Sequence, residues 1–122
     1  MGNLIDDKSF DFGVKAVRFV QKLRKESNEY ELINQFLRSA TSVGANVAEA
    51  RYAQSDRDFL SKMAIARKEA NEANYWLRLL AKTGIVKEEA AKELIGDASE
   101  LLRILTAIIK TKLEKMKENQ NV

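Results

Sequence analysis

Three glutamates come closest to the spacing of a reactive site. Glu69 and Glu72 lie one helical turn apart, and Glu49 precedes them in the sequence. Carboxylates on facing helices bind metal ions in di-metal bundles, where histidines accompany them in Glu-x-x-His pairs. The chain contains no histidine and no cysteine, so the usual metal ligands and the usual general base are both missing. We therefore expect no metal site, and we interpret the three carboxylates as members of ion pairs.

Serine hydroxyls are the second group with nucleophilic potential. Ser39, Ser42 and Ser61 have no histidine base available, and the sequence contains neither a nucleophile-elbow motif nor a phosphate-binding glycine loop. We interpret these serines as polar packing residues. The sequence therefore predicts a protein that is not an enzyme and that uses no cofactor.

The composition indicates which elements must position these side chains. Apolar residues make up 45% of the 122 residues and charged residues 32%, and there is no proline, which is typical of helical proteins. A chain of this length buries about two-thirds of its unfolded surface, so we expect one all-α domain over residues 1–122. The sequence has no signal-peptide pattern and no apolar run near the about 20 residues that span a membrane. We expect a cytoplasmic protein with no membrane partner.

Apolar residues recur at three- and four-residue steps in four separate stretches. They predict four helices, over about residues 10–27, 29–53, 56–83 and 87–118. The short connections between them predict an antiparallel up-down-up-down four-helix bundle.

Three features mark helix ends and close packing. Ser9 is predicted to cap the first helix, and Ser55 begins the third, which ends at Thr83-Gly84. Gly44 lies in the predicted core stripe of the second helix, which includes Ala48. A glycine there costs about 1 kcal/mol relative to alanine, so we expect close approach of a neighbouring helix, with a local irregularity as the alternative.

The second and third helices each have an unusual outer face. Solvated helix surfaces are commonly filled by Lys, Glu and Arg, whereas Ser42 and Asn46 occupy this face of the second helix, flanked by Ser39. The third helix is apolar on two sides, with Trp76 opposite its predicted core stripe. We predict self-association through these faces, with burial inside one subunit as the alternative. The predicted contacts are Arg38, Ser42, Asn46, Glu49, Ile65, Glu72, Trp76 and Leu79.

The first helix carries the longest run of positive charge, with no acidic residue between Phe12 and Lys25. Cations on one helix side can follow phosphates without reading bases. The net charge of +3 is too modest to require a nucleic-acid partner, so a solvated surface is the alternative. The candidate contacts to RNA or DNA are Lys8, Lys15, Arg18, Lys22 and Lys25.

Two segments carry a family resemblance. SATSVGANVAE over residues 39–49 and FLSKMAIARKEANEANYWLRLL over residues 59–80 resemble the bacterial four-helix-bundle proteins encoded by intervening sequences within large-subunit ribosomal RNA genes. The resemblance extends over about residues 10–113. Val47 and Ala50 stand where the family usually has isoleucine and glycine.

The resemblance implies a left-turning antiparallel four-helix bundle assembled as a homopentameric ring. It also implies kinship with accessory proteins of diversity-generating retroelements, pentameric barrels that bind nucleic acid and a reverse transcriptase. It brings no catalytic residue. We therefore predict a homo-oligomeric accessory protein that binds nucleic acid or a ribonucleoprotein, with a protein-binding scaffold that lacks this activity as the alternative.

Overall fold

The computed structural model describes residues 3–120. Its four helices are α1 (Leu4–Leu23), α2 (Tyr30–Ala50), α3 (Asp56–Lys82) and α4 (Glu88–Gln120). Consecutive helices pack side by side and α1 also packs on α4, whereas within the described residues the Cα atoms of the diagonal pairs α1/α3 and α2/α4 stay more than 8 Å apart. This part of the chain contains no strand. The predicted all-α, four-helix architecture is confirmed.

One apolar core joins the four helices, because each helix turns a stripe of apolar side chains toward the others. Phe36 of α2 is fully buried, and its ring packs against that of Phe19 of α1 in a T-shaped arrangement with 5.8 Å between centroids. The largest fully buried side chains are Phe12, Ile33, Phe36, Leu77, Leu80, Leu101 and Leu105. Ala48, which was predicted to face inward, is exposed instead.

The start of α1 differs from the prediction. The helix begins at Leu4, so Ser9 lies inside it and is not its cap. The Ser9 hydroxyl donates to the Asp6 carbonyl oxygen at 3.2 Å, and the residue is only 1% exposed. Ser9 continues the inward stripe between Ile5 and Phe12, where a small side chain allows α2 to approach.

The predicted ends of α3 are confirmed. Ser55 Oγ accepts a hydrogen bond from the Asp58 backbone N–H at 3.0 Å. The Asp58 carboxylate in turn accepts from the Gln54 backbone N–H at 3.2 Å, so two donors at the helix start are satisfied. At the other end Gly84 adopts φ +79°, the left-handed conformation that terminates a helix.

The close approach predicted at Gly44 is also observed, because α2 remains helical through this residue and the backbone of α1 at Ser9 lies against it. The alternative of a local irregularity is not what the structure shows. No helix within residues 3–120 is both long and apolar enough to cross a membrane.

Candidate functional site

The predicted subunit contacts lie on two adjoining rows, one on α2 and one on α3, which we call the α2–α3 surface. Lys62 of α3 forms an ion pair with Glu49 of α2 at 3.1 Å, and it ties one end of the two rows together. In the middle of the α2 row, Ser42 and Asn46 are half-buried, and Asn46 Nδ2 donates to the Ser42 carbonyl oxygen at 2.9 Å. These short polar side chains therefore project little from α2, and one of them is hydrogen-bonded to the helix backbone. Ser39 is buried and belongs to the core side of α2 instead.

Trp76 is the largest side chain on this surface, and it is partly covered within one subunit, in the direction of the alternative prediction. The indole is half-buried and packs against the core, whereas Ile65 on the same helix is exposed. The indole Nε1–H is buried and has no acceptor among the described residues. A buried donor without an acceptor is costly, by about 1–3 kcal/mol. The α2–α3 surface thus carries the exposed Ile65, and the indole nitrogen buried beneath the surface is unsatisfied.

Two carboxylates beside Trp76 also lack partners. Burial raises the pKa of Glu69, and the neighbouring Glu72 charge raises it further, although Lys68 and Arg38 oppose both effects. Neither glutamate forms an ion pair within 4 Å in the range 3–120, so the pairing predicted for them, which includes pairing between subunits, stays a prediction. No group of three or more Asp and Glu side chains in that range is placed to hold a metal ion.

The predicted nucleic-acid stripe divides into a paired half and an unpaired half. Lys8 Nζ lies 3.0 Å from Glu100 of α4. Lys15 Nζ lies 2.6 Å from Glu93 and 3.0 Å from Asp97, and these two hydrogen bonds hold the pKa of Lys15 above its ordinary value. The spacing of residues within α1 carries no information about its neighbours. It therefore could not indicate that acids of α4 face this part of α1.

The unpaired half lies toward the end of α1. Arg18, Lys22 and Lys25 are exposed, and none of them forms an ion pair or a side-chain hydrogen bond with another described residue. Three cations over about two helical turns are a smaller electrostatic surface than the five predicted from the sequence.

A groove between α1 and α2 was missed by the sequence analysis, and we call it the α1–α2 groove. Its volume is about 610 Å³. Phe10, Val14 and Val17 of α1 form its large apolar wall, and Phe10 is 70% exposed. The opposite wall and floor consist of small residues of α2, namely Thr41, Gly44, Ala45 and Ala48. The signal was present as apolar residues four and three positions apart on the outer side of α1.

The sequence model of the 23S rRNA-intervening sequence protein family matches residues 3–107. The chain belongs to this family. A crystal structure from the S23 ribosomal protein family, of a Bacteroides thetaiotaomicron protein of unknown function, is 43% identical and superposes with a TM-score of 0.85. The match covers 88% of this chain and 99% of the Bacteroides chain. No curated protein matches the sequence.

The intervening sequence proteins are therefore the correct relatives, as the residue pattern predicted. The most specific segments of that pattern lie on α2 and α3, where they form the α2–α3 surface.

Proposed function

We propose that this intervening sequence protein is a non-catalytic, self-assembling helical bundle that acts as a protein-binding scaffold. The observation that carries the proposal is the outer α2–α3 surface of the bundle, where the exposed Ile65 and the half-buried Trp76 lie on one helix with the unpaired Glu72. Surfaces of this composition mark contacts with another protein. A homopentameric ring is the assembly that we propose, from the family resemblance.

Within the ring, the α2–α3 surface supplies the subunit contact. The apolar side chains of this surface, Ile65, Trp76 and Leu79, lose their remaining contact with water there. The contact is heterologous, since a ring requires two different patches on each subunit.

Light scattering tests the assembly. We expect the wild-type protein to have the mass of a multimer and Ile65→Asp to shift the mass downward, because a buried charge disrupts an apolar contact. Leu113→Asp is the matched control, since Leu113 is an exposed apolar residue of α4 outside this surface. A wild-type monomer at every concentration contradicts the proposal, and so does an equal effect of both variants.

Nucleic-acid binding is the second candidate, and the unpaired Arg18, Lys22 and Lys25 favour it. Phosphate contacts by three cations weaken as salt is added. The logarithm of the binding constant falls with the logarithm of the salt concentration, with a slope of about −0.7 to −0.9 per contact. Labelled RNA and DNA measured across a salt series test this binding. Lys22→Glu and Lys25→Glu are expected to weaken nucleic-acid binding. Arg103→Glu changes an exposed residue of α4 and is expected to leave the binding unchanged. Binding without salt dependence, or equal effects of all three variants, excludes this candidate.

A further inference from the structure

We propose that α1 also pairs with α1 of a second copy, antiparallel and across a two-fold axis between Val14 and Lys15. The proposal builds on the self-assembly proposed above, but it uses the α1–α2 groove and not the α2–α3 surface. Its occupant is a second copy of this chain, because the exposed face of α1 is complementary to itself in both shape and charge.

The apolar part of this face is the wall of the α1–α2 groove. Phe10 is 70% exposed and Val17 is 39% exposed, with the half-buried Val14 between them along the helix. Since the three residues recur at four- and three-residue spacing, they form one stripe on the side of α1 that the core leaves uncovered. Such a stripe is the seam of a helix pair.

Four charged residues lie along one side of the stripe, two acids near its start and two cations near its end. Asp7 and Asp11 lie one helical turn apart before its centre, and Arg18 and Lys22 lie one turn apart after it. None of these four side chains forms an ion pair with another described residue. Within a single subunit each pair is a like-charge pair at i and i+4, which destabilises a helix slightly.

Antiparallel pairing removes both repulsions in one register. When the axis passes between Val14 and Lys15, Asp7 lies opposite Lys22 of the second copy and Asp11 lies opposite its Arg18. The two-fold axis then generates every ion pair twice. In antiparallel helix pairs, residues on the same side of the seam face each other, and all four charges lie on the same side of this stripe. A parallel pairing in register would bring Asp7 against Asp7.

The acids of this face confine any nucleic acid to the end of α1 that carries the cations. A phosphate chain that follows Arg18 and Lys22 along α1 toward its start meets Asp7 and Asp11, which repel it. A second copy satisfies both signs, and an apolar stripe adds nothing to phosphate binding but much to a helix pair. Ion pairs at the rim of such a contact set the register and orientation more than the affinity.

The α1 pair and the ring are separate contacts on separate surfaces. A ring alone has the mass of five subunits, the α1 pair alone gives two, and both together double the ring. Each contact is therefore tested independently of the other.

Cross-linking is the first test, and the absence of native cysteine makes it clean. Val14→Cys places a thiol beside the proposed axis, so oxidation or a short bis-maleimide is expected to yield a covalent dimer. The matched control is Thr106→Cys on the exposed face of α4, which is expected to form no covalent cross-link. In a ring without the two-fold contact, position 14 does not meet its own copy. Failure of Val14→Cys to cross-link, or equal cross-linking of the control, overturns the α1 pair.

Charge exchange is the second test, carried out in the Val14→Cys background. Asp11→Arg or Arg18→Asp alone brings like charges together, and each is expected to lower the cross-linked yield at least several-fold. The double variant Asp11→Arg with Arg18→Asp is expected to restore it. Circular dichroism and thermal unfolding confirm that each variant folds. A double variant that stays as poor as the single ones overturns the register.

Ile65→Asp separates this proposal from the ring. If Ile65→Asp leaves the Val14→Cys dimer intact, the α1 pair stands whether or not the ring forms. If Arg18→Asp abolishes RNA binding while Val14→Cys fails to cross-link, Arg18 contacts phosphate and the α1 pair is wrong.

Discussion

The carbonyl oxygen of Ser9 lies 3.2 Å from the point that a Cβ atom on Gly44 would occupy, and the Ser9 carbonyl carbon lies 3.4 Å from it. Both contacts are with the main chain of α1. Ser9 and Gly44 therefore form a close contact between α1 and α2, where one helix contributes a small side chain and the other contributes none. Both residues also line the α1–α2 groove.

Gly44→Ala is expected to destabilise the protein, although alanine is the better helix former by about 1 kcal/mol. The added methyl group meets a main-chain carbonyl that cannot rotate away, so α1 must shift, and we expect a net loss of about 1 kcal/mol. Gly96→Ala is the matched control, because no atom lies within 4 Å of its Cβ position. The control is expected to gain up to about 1 kcal/mol. Urea unfolding measures both, and a stabilised Gly44→Ala contradicts the close contact.

Ser9 variants separate size from polarity at the same contact. The Ser9 hydroxyl bonds only within its own helix, to the Asp6 carbonyl oxygen, so Ser9→Ala is expected to change the free energy of unfolding by less than about 0.5 kcal/mol. Ser9→Val adds volume between two packed backbones and is expected to cost about 1–3 kcal/mol. Thermal unfolding followed by circular dichroism distinguishes these outcomes. A larger loss for Ser9→Ala than for Ser9→Val assigns the hydroxyl, and not the space, the decisive role.

Glu69→Gln is expected to stabilise the protein at neutral pH. Burial and the Glu72 charge raise the pKa of Glu69 above its ordinary value of 4.5, so the folded state binds this proton more tightly than the unfolded state does. Stability therefore falls as pH rises through the window that begins near 4.5 and ends at the raised folded-state pKa. The advantage of Glu69→Gln is present above that window and disappears below it.

Chemical unfolding of the wild type and Glu69→Gln between pH 4 and pH 7 measures this difference. Glu114→Gln, on the exposed end of α4, is the control for the removal of one carboxylate from the protein surface. A wild-type advantage at pH 7 refutes the assignment.

Neutralising the acids that hold Lys15 is expected to strengthen any nucleic-acid binding. In the double variant Glu93→Gln with Asp97→Asn, Lys15 loses both carboxylate partners and becomes available to phosphate. We expect the slope of log binding constant against log salt concentration to steepen by the amount of about one phosphate contact. The free energy of unfolding is expected to fall by less than about 1 kcal/mol, because the ion pairs are exposed. RNA titrations in a salt series measure the slope. An unchanged slope indicates that RNA does not reach this part of α1.

The fold was largely predictable from the sequence, and particular residues show why. Periodic apolar residues place the four helices, and the Ser55 cap and the Gly84 terminator act within a few residues of themselves. Ser9 was wrongly predicted to be a cap because a serine before an apolar stripe is typical of one, and only the packing of α2 against Ser9 shows that it is an interior residue.

The candidate surfaces were less predictable, because they depend on which helices are neighbours. The pairing of Lys15 with two acids of α4 joins residues about 80 positions apart, a separation that periodicity within one helix cannot detect. The α1–α2 groove likewise combines an apolar stripe on α1 with small residues of α2. The stripe can be recognised in the sequence, but the pattern within α2 does not decide whether its small residues face the core or the surface. The α2–α3 surface was easier to find, since both of its rows stand out within their own helices.

Trp76 is the single tryptophan of the chain, and its half-buried indole belongs to the α2–α3 surface. The chain therefore carries one intrinsic fluorophore, placed where a neighbouring subunit would exclude water from it. Its emission wavelength and its accessibility to a quencher such as acrylamide report coverage of that surface without any label. A dilution series followed through this one residue reads out assembly in the native sequence, at concentrations far below those that light scattering requires.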